Sequence, residues 1–439
     1  MKALTFKRGI FPPHGKHYTE NKPIEVLMPA GDLVYPMIQH IGASCEPLVK
    51  KGDRVLVGQK IGEAKAFVSA PIHSTVSGIV KEVGPLLHPN GKKVVSVVVE
   101  NDGQYEEDPS IGRPNDYKKM SREAILEKIK EAGIVGMGGA GFPTFIKLSP
   151  PIEKKIDTIL LNGAECEPYL TSDHRVMLEE TERVVEGLRI ILHLFPGAKG
   201  YIAIEDNKKD AIAKMKEATK DDENIEVAIL KTKYPQGSEK QLIYACTKRE
   251  VPSGKLPADV GCIVQNIDTV VAIHRAIVRG RPLMRRIVTV TGGAIQNPKN
   301  FKVRIGTTYR ELIEAAGGFK EDPVKIISGG PMMGTPLFSL DIPIIKTSSA
   351  ILCLTKEETE LSAERACIRC GKCVDVCPMN LLPLSLNFHS LHEEWDAFEK
   401  ENGLDCMECG SCSYICPAKR HLLQSIRTGK QTVLMNKKK

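Results

Sequence analysis

No stretch of this chain reaches the ~20 uninterrupted apolar residues that cross a bilayer. Its best window, Pro336 to Leu354, is broken by Asp341, Pro343 and Lys346. Membrane association is therefore expected only through a partner. The opening residues, Met1 to Tyr18, interleave Lys2, Lys7, Arg8, Pro12, Pro13, His14 and Lys16 and hold no apolar core of a secretory leader, so export is not expected. Aromatics are scarce, at 5% with one Trp, and no run alternates Arg with aromatic rings. A net charge of only +7 then argues against a nucleic-acid partner, and the closing Lys437-Lys438-Lys439 reads as a solvated terminus. With 42% hydrophobic residues over 439 positions, the chain can bury several cores.

What is abundant is cysteine, 13 in all, and eight of them follow one grammar twice. Cys367, Cys370, Cys373 and Cys377-Pro378 are matched by Cys406, Cys409, Cys412 and Cys416-Pro417 in the same C-x2-C-x2-C-x3-C-P spacing. This is the signature of bacterial two-cluster ferredoxins, in which three close thiolates hold one cubane and the fourth reaches to the other. One [4Fe-4S] centre is thus assigned to Cys367, Cys370, Cys373 and Cys416, and the second to Cys406, Cys409, Cys412 and Cys377. The alternatives are zinc sites or disulfides. Zinc usually takes two separated Cys-x2-Cys knuckles, and disulfides want an oxidising compartment. Cys45, Cys166, Cys246, Cys262 and Cys353 stand alone and read as small buried hydrophobes. His40, His73, His174 and His274 lack metal-ligand spacing and read as structural.

The fold expected is multidomain, α/β plus α+β. Residues 1–110 give short β-rich runs punctuated by Gly, with Val49 to Gly62, Ala70-Pro71 and Val76 to Val80 resembling the barrel-sandwich hybrid of lipoyl and biotinyl domains. Lys65 lies near the hairpin tip that carrier domains modify, but its neighbours are not those of a carrier, so a docking module is expected. Residues 115–280 alternate apolar runs (Thr158 to Leu161, Gly200 to Ile204, Val227 to Leu230) with helical patterns at Asp173 to Leu194 and Lys208 to Ala218, after a helix capped by Ser121. That alternation reads as a Rossmann-like domain. Residues 285–345 read as a β-grasp domain, with a capping box at Thr308 and Glu311 and a stop at Gly317-Gly318. Within it, Gly329 to Gly334 reads as a turn, with a phosphate loop as the alternative. Residues 350–439 form the helical two-cluster ferredoxin segment.

Between the barrel and the β-grasp lies Gly136-Met137-Gly138-Gly139-Ala140-Gly141-Phe142-Pro143-Thr144, a glycine loop whose N–H groups can wrap a phosphate. It is followed by Lys147, Asn162-Gly163-Ala164-Glu165-Cys166-Glu167-Pro168, Tyr234-Pro235-Gln236-Gly237-Ser238-Glu239 and Gln265-Asn266. In this order the motifs resemble the FMN-carrying, NADH-oxidising subunit of respiratory complex I. The likeness implies that Gly136, Gly138, Gly139, Gly141 and Lys147 hold the phosphate and ribityl chain of non-covalent FMN. Asn162, Tyr234, Gly237 and Asn266 would line the flavin, Glu165 would sit near its ring, and Glu167, Glu239 and Phe142 near the NAD(H). Glu165 and Glu167 are the candidate catalytic carboxylates; a carboxylate bonded to backbone N–H groups is the other reading of Glu165. Two departures from that pattern are Ala164, where the relatives carry Asp, and Ser238, where they carry Glu.

The full layout, with the barrel at the N-terminus and two ferredoxin repeats, resembles the C subunit of Rnf electron-transport complexes. That resemblance implies a peripheral subunit on the cytoplasmic side of the inner membrane, working with integral subunits that handle ferredoxin and move Na+ or H+. NADH surrenders two electrons at once and a cubane accepts one, so a flavin between them is chemically required. Other readings are a soluble cobalamin reductase-like flavo-iron-sulfur protein, or a non-catalytic electron relay.

Overall fold

The computed structural model describes residues 3–359 and 362–437; Lys2, Lys438 and Lys439 lie outside them. At its centre is a parallel sheet in the order Ile225–Leu230, Lys199–Glu205, Thr158–Gly163, Cys262–Asn266. Its strands are nearly continuous apolar runs because both faces are covered. Ile159, Leu161, Ile202, Ile204 and Ile263 pack towards the helices Arg122–Glu131, Ser172–Glu179, Thr181–Leu194, Lys209–Ala218 and Ile267–Val278. Leu160, Ala203, Ala228 and Val264 face Glu239–Thr247. Ser121 caps Arg122–Glu131 through the N–H of Ala124, 3.2 Å away.

The helical pattern from Asp173 to Leu194 is interrupted at Glu180, whose φ of −123° ends one helix and begins the next. Thr181 Oγ1 bonds back to Met177 O at 2.7 Å at the break, and Glu180 itself draws partners from far along the chain. Glu180 is 5% exposed and its carboxylate meets Arg183, Arg275, Arg285 and Lys302, the last two from the neighbouring sheet domain. Burial pulls its pKa up, but these cations outweigh it and hold the carboxyl below its ordinary value.

The β-grasp sheet draws in strands from outside its expected span. Its order is Ile24–Leu27, Lys299–Arg304, Arg285–Thr291, Ala350–Leu354, Lys325–Ser328, Thr335–Pro336. Ile24–Leu27, expected in the barrel, pairs in parallel with Lys299–Arg304, and Ala350–Leu354, expected at the start of the ferredoxin segment, pairs with both Arg285–Thr291 and Lys325–Ser328. Local patterning specifies a strand and not its sheet. Only half of the predicted capping box forms. Thr308 accepts from the N–H of Glu311, while the Glu311 carboxylate binds the N–H of Ala30 at 2.6 Å.

The barrel sandwich has two small sheets, Leu33–Pro36, Lys93–Asn101, Gly78–Leu87, Arg54–Val55 and Glu46–Pro47, Lys60–Glu63, Ile72–His73. Lys65 is ion-paired with Glu46. Residues ahead of it strap the other domains. Leu4 bridges to Leu230 at the edge of the parallel sheet, and Gly9 donates to Val376 O at 3.0 Å, between two cluster cysteines.

The ferredoxin segment repeats its backbone as it repeats its cysteines. Arg369 and Glu408 have φ of 53° and 60°, Gly371 and Gly410 cap short helices at 77° and 76°, and Asn380 and Lys419 return to 57° and 52°.

Removing the Glu180 carboxylate leaves four cations facing one another in a partly buried site. Glu180→Ala should cost about 3 kcal/mol, read as a fall in thermal midpoint; a wild-type midpoint would show that the cations are solvated independently.

Candidate flavin and iron–sulfur sites

The eight repeat cysteines ring two separate cavities. One is lined by Cys377, Cys406, Cys409 and Cys412, the other by Cys367, Cys370, Cys373 and Cys416. This is the crossed grouping expected from spacing. The four sulfurs of each set line one cavity, the placement a four-iron cube would need. Burial raises the thiol pKa values of Cys406, Cys409 and Cys412, that of Cys406 to about 11. Thiolates in so apolar a setting call for a cationic partner, which iron would supply.

The two cavities differ in placement. Cys377, Cys409 and Cys412 are buried, whereas Cys367 and Cys370 are exposed. Tyr234, 1% exposed, donates its hydroxyl to Cys409 O at 2.8 Å. Ile10, Cys166, Met332, Val376 and Met407 pack around Tyr234 and Cys409. Gln241 Nε2 reaches Pro378 O at 3.1 Å. The Cys377/406/409/412 cavity therefore abuts the flavin motifs, and the other lies towards solvent.

In the glycine loop, Gly136 N–H bonds Phe142 O at 2.8 Å, closing the loop at its base, and Met137 N–H bonds Thr269 Oγ1 at 2.9 Å. Gly138 has φ +80°, and a Cβ there would come 2.9 Å from Asn266 Nδ2; at Gly139 a Cβ would meet nothing within 4 Å. The loop is thus braced on one side and open on the other, the form a phosphate cradle needs. Lys147 Nζ bonds the Glu239 carboxylate at 2.6 Å and Val264 O at 2.9 Å, so these two candidates are brought together as a pair. Asn162 Nδ2 donates to Gly237 O at 2.7 Å, tying two more. Asn266 is fully engaged: its Oδ1 caps Ile267–Val278, and its Nδ2 donates to Asp173 at 2.6 Å.

Glu165 is committed to structure. At φ 47° it turns its carboxylate onto the N–H groups of Asp173 (2.7 Å) and His174 (3.3 Å) at the start of Ser172–Glu179. These are the backbone N–H bonds of the second reading of Glu165. Glu167 accepts from the N–H groups of Met332 and Met333, at 3.2 and 2.8 Å, and burial pushes it up to about 7. The Gly329 to Gly334 turn is thus a carboxylate holder. A Cβ on Gly330 would stand 2.2 Å from Glu167 Oε2.

Sequence reasoning missed the residues beneath this turn. Lys16 Nζ, buried, donates to the carbonyls of Glu165, Glu167 and Leu170 at 2.9, 3.0 and 2.6 Å, and Lys208 Nζ to that of Ala164 at 2.7 Å. Neither has a local signal, since both act across long sequence separations. Asp173 also escapes it, being one acidic residue in a helical pattern. Burial first, then Glu165 and Asp268, push it up to about 7.

The fit of this region to a polar cofactor rests on orphaned groups. Among the described residues, Thr144 Oγ1, Gln236 Nε2 and Gln265 Nε2, all within the flavin motifs, are buried and find no hydrogen-bond partner. Buried donors rarely remain so, and a bound flavin is rich in acceptors.

Glycine loop, motif turn and two cysteine cavities together define a flavo-iron-sulfur electron-transfer protein. Family models match along the chain in order: the RnfC barrel sandwich hybrid domain at residues 4–104, the Nuo51 FMN-binding domain at 129–275, the SLBB domain at 287–336 and a 4Fe-4S dicluster domain at 366–420. The C subunit of the Na(+)-translocating ferredoxin:NAD(+) oxidoreductase complex of Acetobacterium woodii is 49% identical, over 100% of this chain and 99% of its own. Its proton-translocating counterpart in Clostridium ljungdahlii is 52% identical over 96% and 93%. The C subunit of the ion-translocating oxidoreductase complex of Vibrio cholerae is 40% identical over 91% of this chain and 52% of its own. The chain belongs to the family of Rnf complex C subunits. An NAD+-reducing [NiFe]-hydrogenase in the H2-reduced state shares the fold over 71% of this chain and 63% of its own, with TM-score 0.50 and 16% identity.

Asp173 gives a pH-dependent test. With its folded pKa raised towards 7, the folded state retains a proton that the unfolded chain loses near pH 4, so this group costs stability progressively as pH rises between those values. Asp173→Asn should remove that slope. Thermal midpoints of variant and wild type should diverge from pH 4 to pH 7 in favour of the variant; parallel curves would place the titration elsewhere.

Proposed function

We propose that the chain is the NADH-oxidising, peripheral subunit of a membrane-bound, ion-translocating ferredoxin:NAD oxidoreductase, linking NAD(H) to integral partner subunits and through them to ferredoxin, on the cytoplasmic side of the inner membrane. The observation that carries this reading is the Tyr234–Cys409 contact, which sets one cysteine cavity against the flavin motifs while the other opens outward. FMN, when bound, supplies the conversion between two-electron hydride chemistry and the one-electron chemistry of [4Fe-4S] clusters.

The chain's own residues bind and orient. The glycine loop from Gly136 to Gly141, open at Gly139, with Lys147 close by, suits the phosphate; Asn162, Gly237 and Asn266 line the ring site. Phe142, Glu167 and Glu239 border the nucleotide. Glu165 and Lys16 hold the turn that presents these groups, and Tyr234 with Met332 and Met407 excludes water between the flavin motifs and the inner cavity. No general acid or base is demanded, because hydride transfer asks for position rather than proton movement. Of the other readings, the soluble reductase is disfavoured by the barrel domain's match at residues 4–104, ahead of the flavin domain.

The test is anaerobic purification with iron, sulfide and flavin assays, followed by rapid mixing with NADH. About eight irons and one FMN are expected for two cubanes, with flavin bleaching ahead of the clusters; clusters without flavin would make the chain a relay. Cys370→Ser, at the outer cavity, should leave NADH-dependent flavin bleaching intact and abolish electron delivery to an external acceptor. Loss of bleaching in that variant, with its fold preserved, would reverse the proposed order of the two cavities.

A further inference from the structure

The barrel-sandwich domain lies directly against the glycine loop. Ile41 N–H reaches Gly141 O at 3.4 Å, and a Cβ on Gly141 would come 3.2 Å from His40 Cα. The segment around Ile41 is locked to the loop carrying Phe67. Ala43 N–H bonds Val68 O at 2.9 Å, and Gly42, at φ +116°, leaves no room for a side chain beside that carbonyl. Phe67 is 75% exposed. Its ring stands 6.2 Å from that of Phe145, nearly perpendicular at 80°, and Phe145 sits in Thr144–Lys147, the turn of helix that leaves the glycine loop. Ile41 is itself 49% exposed. Phe67 and Phe145, with Ile41 on the segment tied to the Phe67 loop, thus form an apolar shelf on elements that adjoin the glycine loop.

Isolated exposed apolar residues are ordinary. Here two chain segments from different domains are fixed together so that an aromatic ring stays uncovered beside a phosphate cradle. In a chain with 5% aromatics that is a specific use of one of them. We propose that this shelf, with Phe67 as its platform, binds the purine ring of the dinucleotide, so that the barrel domain forms part of the nucleotide site. The inference rests on the NADH reading above and adds to it the residue that recognises the adenylate half. A flat, uncovered aromatic face suits a base because stacking needs only a π surface.

ADP-ribose tests this directly, since it carries the adenylate half and no reactive ring. It would be titrated calorimetrically into holoprotein of wild type, Phe67→Ala and Phe67→Trp, each checked for iron and FMN content. Phe67→Ala should weaken binding about fivefold to a hundredfold, the effect of removing a stacking ring, while Phe67→Trp binds as wild type. With NADH the Ala variant should show a raised KM and an unchanged kcat. With reduced nicotinamide mononucleotide, which lacks the base, the two proteins should behave alike. Equal ADP-ribose affinity in Phe67→Ala and wild type overturns the shelf while leaving NADH oxidation standing. Failure of NADH to bleach the wild-type flavin overturns the functional reading itself.

Discussion

The N-terminal strap, the parallel-sheet domain, the β-grasp turn and one cluster loop meet around the turn from Gly163 to Leu170, and that turn is held by two buried ammonium groups. Carbonyls of Ala164, Glu165, Glu167 and Leu170 point inward to Lys208 and Lys16. Burying a cation is expensive unless several oxygens replace its water. Burial accordingly lowers the Lys16 pKa, with Glu165 opposing. Each lysine comes from a different part of the chain, so the turn forms only when the N-terminal strap and the parallel sheet are both in place. The Glu167 carboxylate then fixes the β-grasp turn at Met332, and a Cβ on Gly410 would already lie 3.2 Å from Met332 O. From the flavin motifs to a cluster loop is therefore a single chain of fixed contacts.

That rigidity bears on electron transfer, where distance governs rate and a sliding interface would blur it. Two near-identical cysteine repeats acquire different surroundings by position alone. The repeat backbones match residue for residue at Gly371 and Gly410 and at Asn380 and Lys419. One repeat's loop is covered by Tyr234 and its apolar neighbours, while the other leaves Cys367 and Cys370 exposed. Burial and hydrogen bonds to sulfur are among the factors that set cluster potentials. The fold thus differentiates two identical ligand sets without changing a ligand.

Much of this was legible in the sequence because the chemistry is local. Cysteine spacing gave both cavities, the glycine loop and its companion motifs announced the flavin region, and caps at Ser121 and Thr308 marked helix starts. What escaped is what depends on distant partners. The helical period runs unbroken through Glu180, and no local pattern announces that Arg275, Arg285 and Lys302 converge on it at the break. Ile24–Leu27 has the look of a strand, but nothing in four residues says that it joins the β-grasp sheet. Lys16 reads as a solvated basic residue near a terminus, and Asp173 as one acid among several on a helix. Likeness places Glu165 near the flavin ring, yet its positive φ and the helix start eight residues on bring its carboxylate to backbone N–H groups.

Lysine serves the same purpose again at the barrel. Lys346, fully buried, donates to Pro71 O at 2.5 Å and Gly133 O at 2.7 Å, while its own N–H bonds Gln39 Oε1 at 3.1 Å. One side chain from the β-grasp region thereby joins the barrel to the glycine-loop domain. Burial lowers its pKa to about 7, a sign that carbonyls alone only just replace water around the ammonium. An apolar interface of the same size would bind as well but tolerate sliding, because dispersion contacts are non-directional. Carbonyl-directed ammonium groups fix orientation, and Gly133 is constrained with them, since a Cβ there would stand 2.2 Å from Pro71 O. The barrel is consequently held in register with the loop that it overhangs, and its position is as much a part of the flavin site's architecture as the motifs themselves.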